Sequence, residues 1–95
     1  PGPGPAAPYV RDGRLMAVRI VFLGPLRDAA GSESLEVSAP LDWEGLLAAV
    51  APELAGQLQS SRVHVACAGE VLADKTALMA RDGEEVALLP PVSGG

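Results

Sequence analysis

The sequence predicts a single small α+β domain in which one main helix covers one face of a sheet. Three features of the 95-residue chain predict this class. Two segments near its ends are strongly apolar and β-branched, an amphipathic helical stretch lies between them, and proline and glycine mark the ends of elements. A chain of this length folds around one hydrophobic core. We therefore expect the order strand, strand, helix, strand, strand.

The first strand is predicted over residues 17–23, AVRIVFL, where Arg19 is the only polar residue. A strand this apolar is buried on much of both faces and is expected in the centre of its sheet. Gly24-Pro25 ends it, and a helical turn is expected over residues 26–30. Side chains alternate along a strand, so the two faces carry, respectively, Val18, Ile20 and Phe22, and Arg19, Val21 and Leu23.

The second strand and the helix follow from two different periodicities. Residues 34–38, SLEVS, alternate polar and apolar side chains, which is typical of a half-buried strand. Asp42 then caps a helix, because its side chain accepts a hydrogen bond from an otherwise unpaired backbone N–H. Pro52 interrupts the helix and is expected to open a further short turn through Leu54 and Leu58. The helical stripe at i, i+3, i+4 and i+7 consists of Trp43, Leu46, Leu47 and Val50.

Extended segments return after the helix. Strands are predicted over residues 62–68 and 85–89, with a short extended piece at 71–72 and a turn at Asp82-Gly83. The segments 17–23 and 85–89 are the most apolar, which suits two neighbouring central strands. Leu78 and Met79 are expected to plug the core from a loop. The remaining expected core residues are Val18, Ile20, Phe22, Leu35, Val37, Trp43, Leu46, Leu47, Val50, Val63, Val65, Val86 and Leu88.

Composition excludes several classes of function. The chain carries 7 basic and 12 acidic side chains, a formal net charge of −5, which argues against nucleic acid and anionic membrane as partners. A single cysteine forms no internal disulfide, and one cysteine with one histidine makes no usual structural zinc site. No apolar run approaches the ~20 residues of a membrane span, and the start lacks the pattern of a secretory signal. We therefore expect a cytoplasmic protein that holds no metal.

The two ends of the chain differ from the body. Residues 1–15 are rich in proline and glycine without periodicity, and are interpreted as an N-terminal extension or expression remnant outside the fold. Residues 16–89 are the expected domain, and residues 90–95, PPVSGG, are the expected protruding tail. Prolines cannot donate sheet hydrogen bonds, so the last strand must end before them. Gly94-Gly95 has no Cβ and fits an extended slot too narrow for side chains; a frayed terminus is the alternative.

Body and tail together resemble the ubiquitin-like, β-grasp sulfur carriers, and within them the small subunits of molybdopterin synthase. The resemblance covers residues 16–95, and its most specific part is the closing strand, two prolines and short stretch into Gly-Gly. It implies a mixed sheet with one main helix packed on one face. The matching segments are AVRIVFLGPLRDAAG (17–31), DWEGLLAAVAPEL (42–54), VACAGE (65–70) and DGEEVALLPPVSGG (82–95).

The resemblance implies a carrier mechanism. A partner of the ubiquitin-activating type, an adenylyltransferase, would use ATP to adenylate the Gly95 carboxylate, and sulfur would replace the adenylate to leave a thiocarboxylate. The tail would then thread into the large synthase subunit and supply sulfur to a pyranopterin precursor of the molybdenum cofactor. The chain is thus expected to be a non-catalytic carrier that binds no cofactor of its own. Gly94 is expected at the reacting end together with Gly95, and the threading residues are Pro90, Pro91, Val92 and Ser93.

A docking surface is expected on the sheet face that the helix leaves open. If the helix covers the Ile20 face, an apolar strip remains on the other, and an uncovered apolar strip usually marks an interface. The resemblance adds Arg27 as a rim contact, since it matches a basic position of the family. The alternative is a second core face or single exposed apolar residues. The strip consists of Val21, Leu23, Ala87 and Leu89, with Val71 as a further member.

Other residues with chemical potential are assigned structural roles. Cys67 lies in an apolar strand and is expected to behave as a small hydrophobe, and His64 points to the opposite face, so no Cys–His pair follows. Trp43 is expected to pack at the helix, and Glu84-Glu85 to be a solvated turn. Three alternatives to the molybdopterin role stay open: a thiamine-pathway sulfur carrier, a ubiquitin-like protein modifier, and a plain β-grasp interaction module.

Overall fold

The computed structural model describes residues 9–11 and 14–91, and the side chains of residues 16–91. The strands are β1 (Tyr9–Arg11), β2 (Arg14–Phe22), β3 (Ser34–Ser38), β4 (Leu41–Asp42), β5 (His64–Cys67), β6 (Glu70–Val71), β7 (Met79–Ala80) and β8 (Glu85–Leu89). The helices are α1 (Pro25–Ala30), α2 (Trp43–Ala49) and α3 (Pro52–Leu58), with a 3-10 turn at Lys75–Ala77. These elements confirm an α+β class.

The first and last predicted strands are neighbours in the centre of the sheet, as expected. Strands β2 and β8 run parallel, with Ile20 opposite Val86 and Phe22 opposite Leu88. All other pairings among the described residues are antiparallel, so the sheet is mixed. The main sheet has the order β1-β2-β8-β5-β6, with β3 also paired to β2, and β4 and β7 form a separate pair.

The sheet begins earlier than the sequence predicts. Strand β2 starts at Arg14, and β1 pairs with it in antiparallel register, with Tyr9 opposite Met16. The backbone of residues 9–11 and 14–15 therefore forms strands of the sheet, whereas the sequence predicts that all of residues 1–15 lie outside the fold. The reason is local: tyrosine and valine favour strands, and Asp12-Gly13 is a dipeptide typical of two-residue hairpin connections.

The expected main helix is divided into two seven-residue helices, α2 and α3. Asp42 caps α2 as predicted, its carboxylate accepting from the Gly45 N–H at 2.7 Å. Pro52 is the first residue of α3, as predicted, and Ala51 before it is extended at φ −62° and ψ 150°. A residue that precedes proline is disfavoured in helical conformation, which explains the break.

The helices pack on the sheet face that carries the predicted core. Leu46, Leu54 and Leu58 are fully buried against the side chains of β2, β5 and β8. Leu78 is buried as expected, but the prediction for Met79 is wrong because 55% of its side chain is exposed. In the β4–β7 pair successive residues face opposite sides, so Ala80 points inward and Met79 outward. Four predicted core residues are only partly buried: Leu35, Trp43, Leu47 and Val50.

Among the described helices, none is both long and apolar enough to cross a lipid bilayer.

Candidate docking face and tail exit

The strand register brings four apolar residues into one row across the open face of the sheet. Val21 of β2 lies opposite Ala87 of β8, Ala87 lies opposite Ala66 of β5, and Ala66 lies opposite Val71 of β6. Directly opposed residues point to the same face, so all four share the face that the helices leave uncovered. Val71 is 60% exposed and the other three are half-buried.

Two leucines extend this row toward the end where β2 and β8 finish. Leu89 lies opposite His64, and Leu23 follows the last residue of β2 with 39% of its surface exposed. The open-face strip is therefore Val21, Leu23, Ala66, Val71, Ala87 and Leu89. The sequence predicts five of these six residues as members of the strip, and their function in docking stays a prediction.

Ala66 is the member of the open-face strip that sequence reasoning missed. It connects Ala87 with Val71 across β5. Strand alternation had already placed Ala66 on the face opposite Val65. The missing information was the strand order, because nothing in the sequence places β5 beside β8.

Charged residues border the apolar row on the side away from the leucines. Arg19 lies opposite Glu36 on one neighbouring strand and opposite Glu85 on the other, and all three are exposed. Arg27, the expected rim contact, lies on α1 with its guanidinium 4.0 Å from the Glu33 carboxylate. Exposed pairs of this kind contribute little to stability, so Arg27 remains available to a partner.

The chain leaves the sheet directly from its centre. Strand β8 ends at Leu89, as predicted, and Pro90 is half-buried while Pro91 is exposed. A Cβ atom placed on Gly24 would lie 3.2 Å from the Pro90 Cγ, so the proline packs against the glycine that follows β2. The other predicted tail residues, Val92, Ser93, Gly94 and Gly95, lie outside the described residues.

Cys67 has the electrostatic surroundings of an unreactive thiol. Its Sγ lies 3.7 Å from the Glu84 carboxylate. Burial raises the pKa of Cys67, and the nearby Glu84 charge and their hydrogen bond raise it further. A reactive cysteine needs a lowered pKa, so these surroundings favour the structural interpretation of Cys67.

One cavity in the described residues is lined by apolar and small side chains. A cavity of about 330 Å³ lies between the end of β3 and α2, and no titratable side chain lines it. The lining residues are Val37, Ser38, Pro40, Leu41, Gly45, Ala48 and Ala49.

In residues 16–91, no group of three or more histidine, cysteine, aspartate or glutamate side chains is arranged to hold a metal ion.

Comparison with known proteins supports the fold described above. The ThiS family model matches residues 20–95, whereas comparison with curated protein sequences gives no match. SAMP1 from Haloferax volcanii is 26% identical with a TM-score of 0.61, covering 83% of this chain and 99% of that one. The HVO 2177 protein of the same organism, 24% identical with a TM-score of 0.65 over 97% and 99% of the two chains, supports the fold alone.

A third similar structure contains two different subunits. The complex of subunits 1 and 2 of molybdopterin-converting factor from Helicobacter pylori 26695 includes a chain that is 25% identical, with a TM-score of 0.57. The match covers 85% of this chain and 100% of that one. The expected ubiquitin-like β-grasp fold is confirmed by the family match and these structures. The chain belongs to the ThiS family of ubiquitin-like sulfur carriers.

Proposed function

We propose that this chain is the sulfur-carrying small subunit of a molybdopterin synthase, and that the Gly95 carboxylate carries the sulfur. The observation that supports this most is the direct path from a central strand into the tail. Strand β8 passes without a turn into Pro90 and Pro91, beside an uncovered apolar strip. The sequence that follows, VSGG, lacks any bulky side chain in its last three positions.

The chemistry follows from the weakness of a carboxylate as an electrophile. ATP converts the Gly95 carboxylate to an acyl-adenylate and releases pyrophosphate, which removes the negative charge and supplies a leaving group. A hydrosulfide equivalent then displaces AMP and leaves a thiocarboxylate. Transfer of that sulfur to a pyranopterin precursor, with oxygen regained from water, returns the carboxylate for another cycle.

The folded domain positions the tail relative to a docked partner. Six residues follow β8 and reach at most about 20 Å when fully extended. A partner's active site must therefore lie within that distance of the sheet edge. The open-face strip ends at Leu23 and Leu89, beside the tail exit, so a partner docked on the strip presents its active site to the tail.

The molybdopterin role is preferred over a thiamine role for two reasons. The Pro-Pro-Val stretch before Gly-Gly resembles molybdopterin synthase small subunits more than thiamine-pathway carriers. In addition, the molybdopterin-converting factor chain is 25% identical to this one.

Intact mass spectrometry tests the carrier chemistry. We expect incubation with a ubiquitin-activating-type enzyme, ATP and sulfide to increase the mass of the chain by one sulfur replacing one oxygen. Gly95→Ala should lose most of this conversion, and Gly56→Ala, the same change at a position in α3 where a Cβ would meet nothing within 4 Å, should keep it. No mass change with several such enzymes would contradict the proposal.

Complementation then separates the pathways. We expect the gene to restore growth of a molybdenum-cofactor-deficient strain and to leave a thiamine auxotroph unchanged. The reverse result would assign the chain to the thiamine pathway instead.

A protein-modifying role is the second candidate, because SAMP1, which shares 26% identity and a TM-score of 0.61 with this chain, belongs to the small archaeal modifier proteins. That role requires the activated Gly95 to form an amide with a lysine of another protein. A ladder of larger adducts that is lost with Gly95→Ala would support it, whereas a carrier gives sulfur exchange without a ladder.

A further inference from the structure

Parallel pairing places Gly24 beside the base of the tail. Because β2 and β8 run in the same direction and Phe22 lies opposite Leu88, the residues after both strands leave the same edge of the sheet side by side. Gly24 follows one strand and Pro90 the other. The site that a Gly24 Cβ would occupy lies only 3.2 Å from the Pro90 Cγ, closer than an ordinary contact between carbon atoms.

Gly24 is also held in a conformation that requires glycine. Its φ is 55° and its ψ is −135°, a region that side-chain-bearing L-residues do not normally enter. Two hydrogen bonds from the first turn of α1 hold the bend. The Arg27 N–H donates to the Gly24 carbonyl at 3.0 Å, and the Leu26 N–H donates to the Leu23 carbonyl at 3.1 Å. Gly24 is therefore a fixed surface for the Pro90 ring.

We propose that Gly24 is a positioning residue for the carrier tail: the space left by its missing side chain seats the Pro90 ring and fixes the direction in which the stalk leaves the sheet. The consequence for sulfur loading rests on the proposed function, because direction matters only if the tail delivers Gly95 to a partner. Misplacement of a reacting group by about 1 Å can cost on the order of 100-fold in rate.

Gly31 supplies a matched control on the same helix. It ends α1 with φ +78°, and a Cβ there would meet nothing within 4 Å. Gly24→Ala and Gly31→Ala both place a side chain at a positive φ, with ψ −135° at Gly24 and 10° at Gly31, but only the first brings a Cβ to 3.2 Å from Pro90. The Pro90→Ala background separates this contact from the backbone strain at Gly24. Pro90→Ala removes the ring Cγ, so it should relieve the contact when combined with Gly24→Ala.

The first measurement is the direction of the stalk in the free, full-length chain. We expect the Cα–Hα residual dipolar couplings of Pro90 and Pro91 to change in Gly24→Ala and to stay unchanged in Gly31→Ala. Unchanged couplings in Gly24→Ala would overturn the proposal. This measurement requires no partner, so it decides the positioning claim even if the wild-type chain is never adenylated and the proposed function fails.

The second measurement is ATP–pyrophosphate exchange with a ubiquitin-activating-type enzyme. We expect Gly24→Ala to lower the rate at saturating carrier by about 10-fold or more, while the half-saturating concentration stays within about twofold because the docking face is intact. Gly31→Ala should match the wild type. In a Pro90→Ala background the effect of Gly24→Ala should fall below about twofold. Equal losses in the two alanine variants, or an equal loss in the Pro90→Ala background, would overturn the proposal.

Discussion

The backbone N–H of Ala17 donates to the Asp82 carboxylate at 3.0 Å, which joins β2 to the turn before β8. The Gly83 N–H donates to the Ala17 carbonyl at 2.8 Å, so two hydrogen bonds hold the turn against β2. Within the turn, the Glu84 N–H donates to the Arg81 carbonyl at 2.9 Å. These contacts hold the turn where β8 enters the sheet in parallel register with β2, and that register determines where Pro90 leaves the sheet.

We expect Gly83→Ala to destabilise the domain by about 1–2 kcal/mol, because Gly83 has φ +86° and L-residues pay about that cost in the left-handed region. A Cβ at this position would meet nothing within 4 Å, so the cost is conformational. Urea unfolding measures it. The matched change is Gly56→Ala in α3, where the backbone is outside the left-handed region and space is open, and it should stabilise by roughly 0.5–1 kcal/mol. A loss at Gly56 equal to that at Gly83 would contradict this assignment.

Local patterns predicted most elements, because their signals lie in adjacent residues. The Asp42 cap, the start of α3 at Pro52 and the turn at Asp82-Gly83 each depend on contacts within a few positions, and the structure has all three. Because Met79 is apolar, the sequence predicts that its side chain points into the core. Hydrophobicity alone does not show which side of a two-residue strand a side chain faces. Its direction depends on pairing with β4, a contact distant in sequence.

The candidate site was only partly predictable for the same reason. Side chains alternate between the two sheet faces along β2 and β8, which predicts that Val21 and Ala87 lie on the face opposite to the core. The sequence contains no signal that β5 lies beside β8, so Ala66 was not joined to the strip. The seat of Pro90 against Gly24 likewise requires the parallel register, which tertiary packing selects.

We expect Leu89→Asp to weaken binding of the large synthase subunit by about 10-fold or more, because it places a charge in the apolar contact beside the tail exit. Leu89 is half-buried on the open face beside the tail exit. Titration calorimetry measures the affinity, and thermal unfolding checks that the domain stays folded.

Met79→Asp is the matched control for Leu89→Asp, because Met79 is 55% exposed but belongs to the β4–β7 pair instead of the open face. It introduces the same charge elsewhere and should leave affinity unchanged. If both variants weakened the affinity equally, the effect would come from the change in net charge and not from contact between the strip and the partner.

Lys75 is predicted to stabilise the loop after α3. Its Nζ donates to the Val63 carbonyl at 2.7 Å and to the Ser60 carbonyl, and lies 5.9 Å from the centre of the Trp43 ring. Lys75→Met keeps most of the aliphatic stem but leaves both carbonyls without this donor, so we expect a loss of about 1–3 kcal/mol in unfolding free energy.

Arg62→Met is the control for Lys75→Met, since Arg62 is an exposed cation in the same loop. It removes the same charge and should change the unfolding free energy by less than about 0.5 kcal/mol. A similar loss in both variants would show that charge, and not the carbonyl contacts, explains the effect.

Glu84→Gln is expected to make Cys67 more reactive. Burial raises the pKa of Cys67, and the Glu84 carboxylate raises it further by charge and hydrogen bonding. Glutamine removes the charge but retains an oxygen that accepts from the Arg81 N–H, a bond of 2.8 Å in the wild type. The midpoint of the pH dependence of iodoacetamide alkylation should therefore be lower in Glu84→Gln than in the wild type.

The same shift sets the pH dependence of stability. As pH rises, the unfolded chain loses the Cys67 proton before the folded chain does, because the pKa of Cys67 is raised in the folded state. Between the two pKa values the unfolded state binds fewer protons, so stability falls as pH rises through the folded pKa. Glu84→Gln should reduce this fall, whereas Glu85→Gln, on the opposite sheet face, should leave both the fall and the alkylation midpoint unchanged. Identical alkylation midpoints in the wild type and Glu84→Gln would refute the coupling between Cys67 and Glu84.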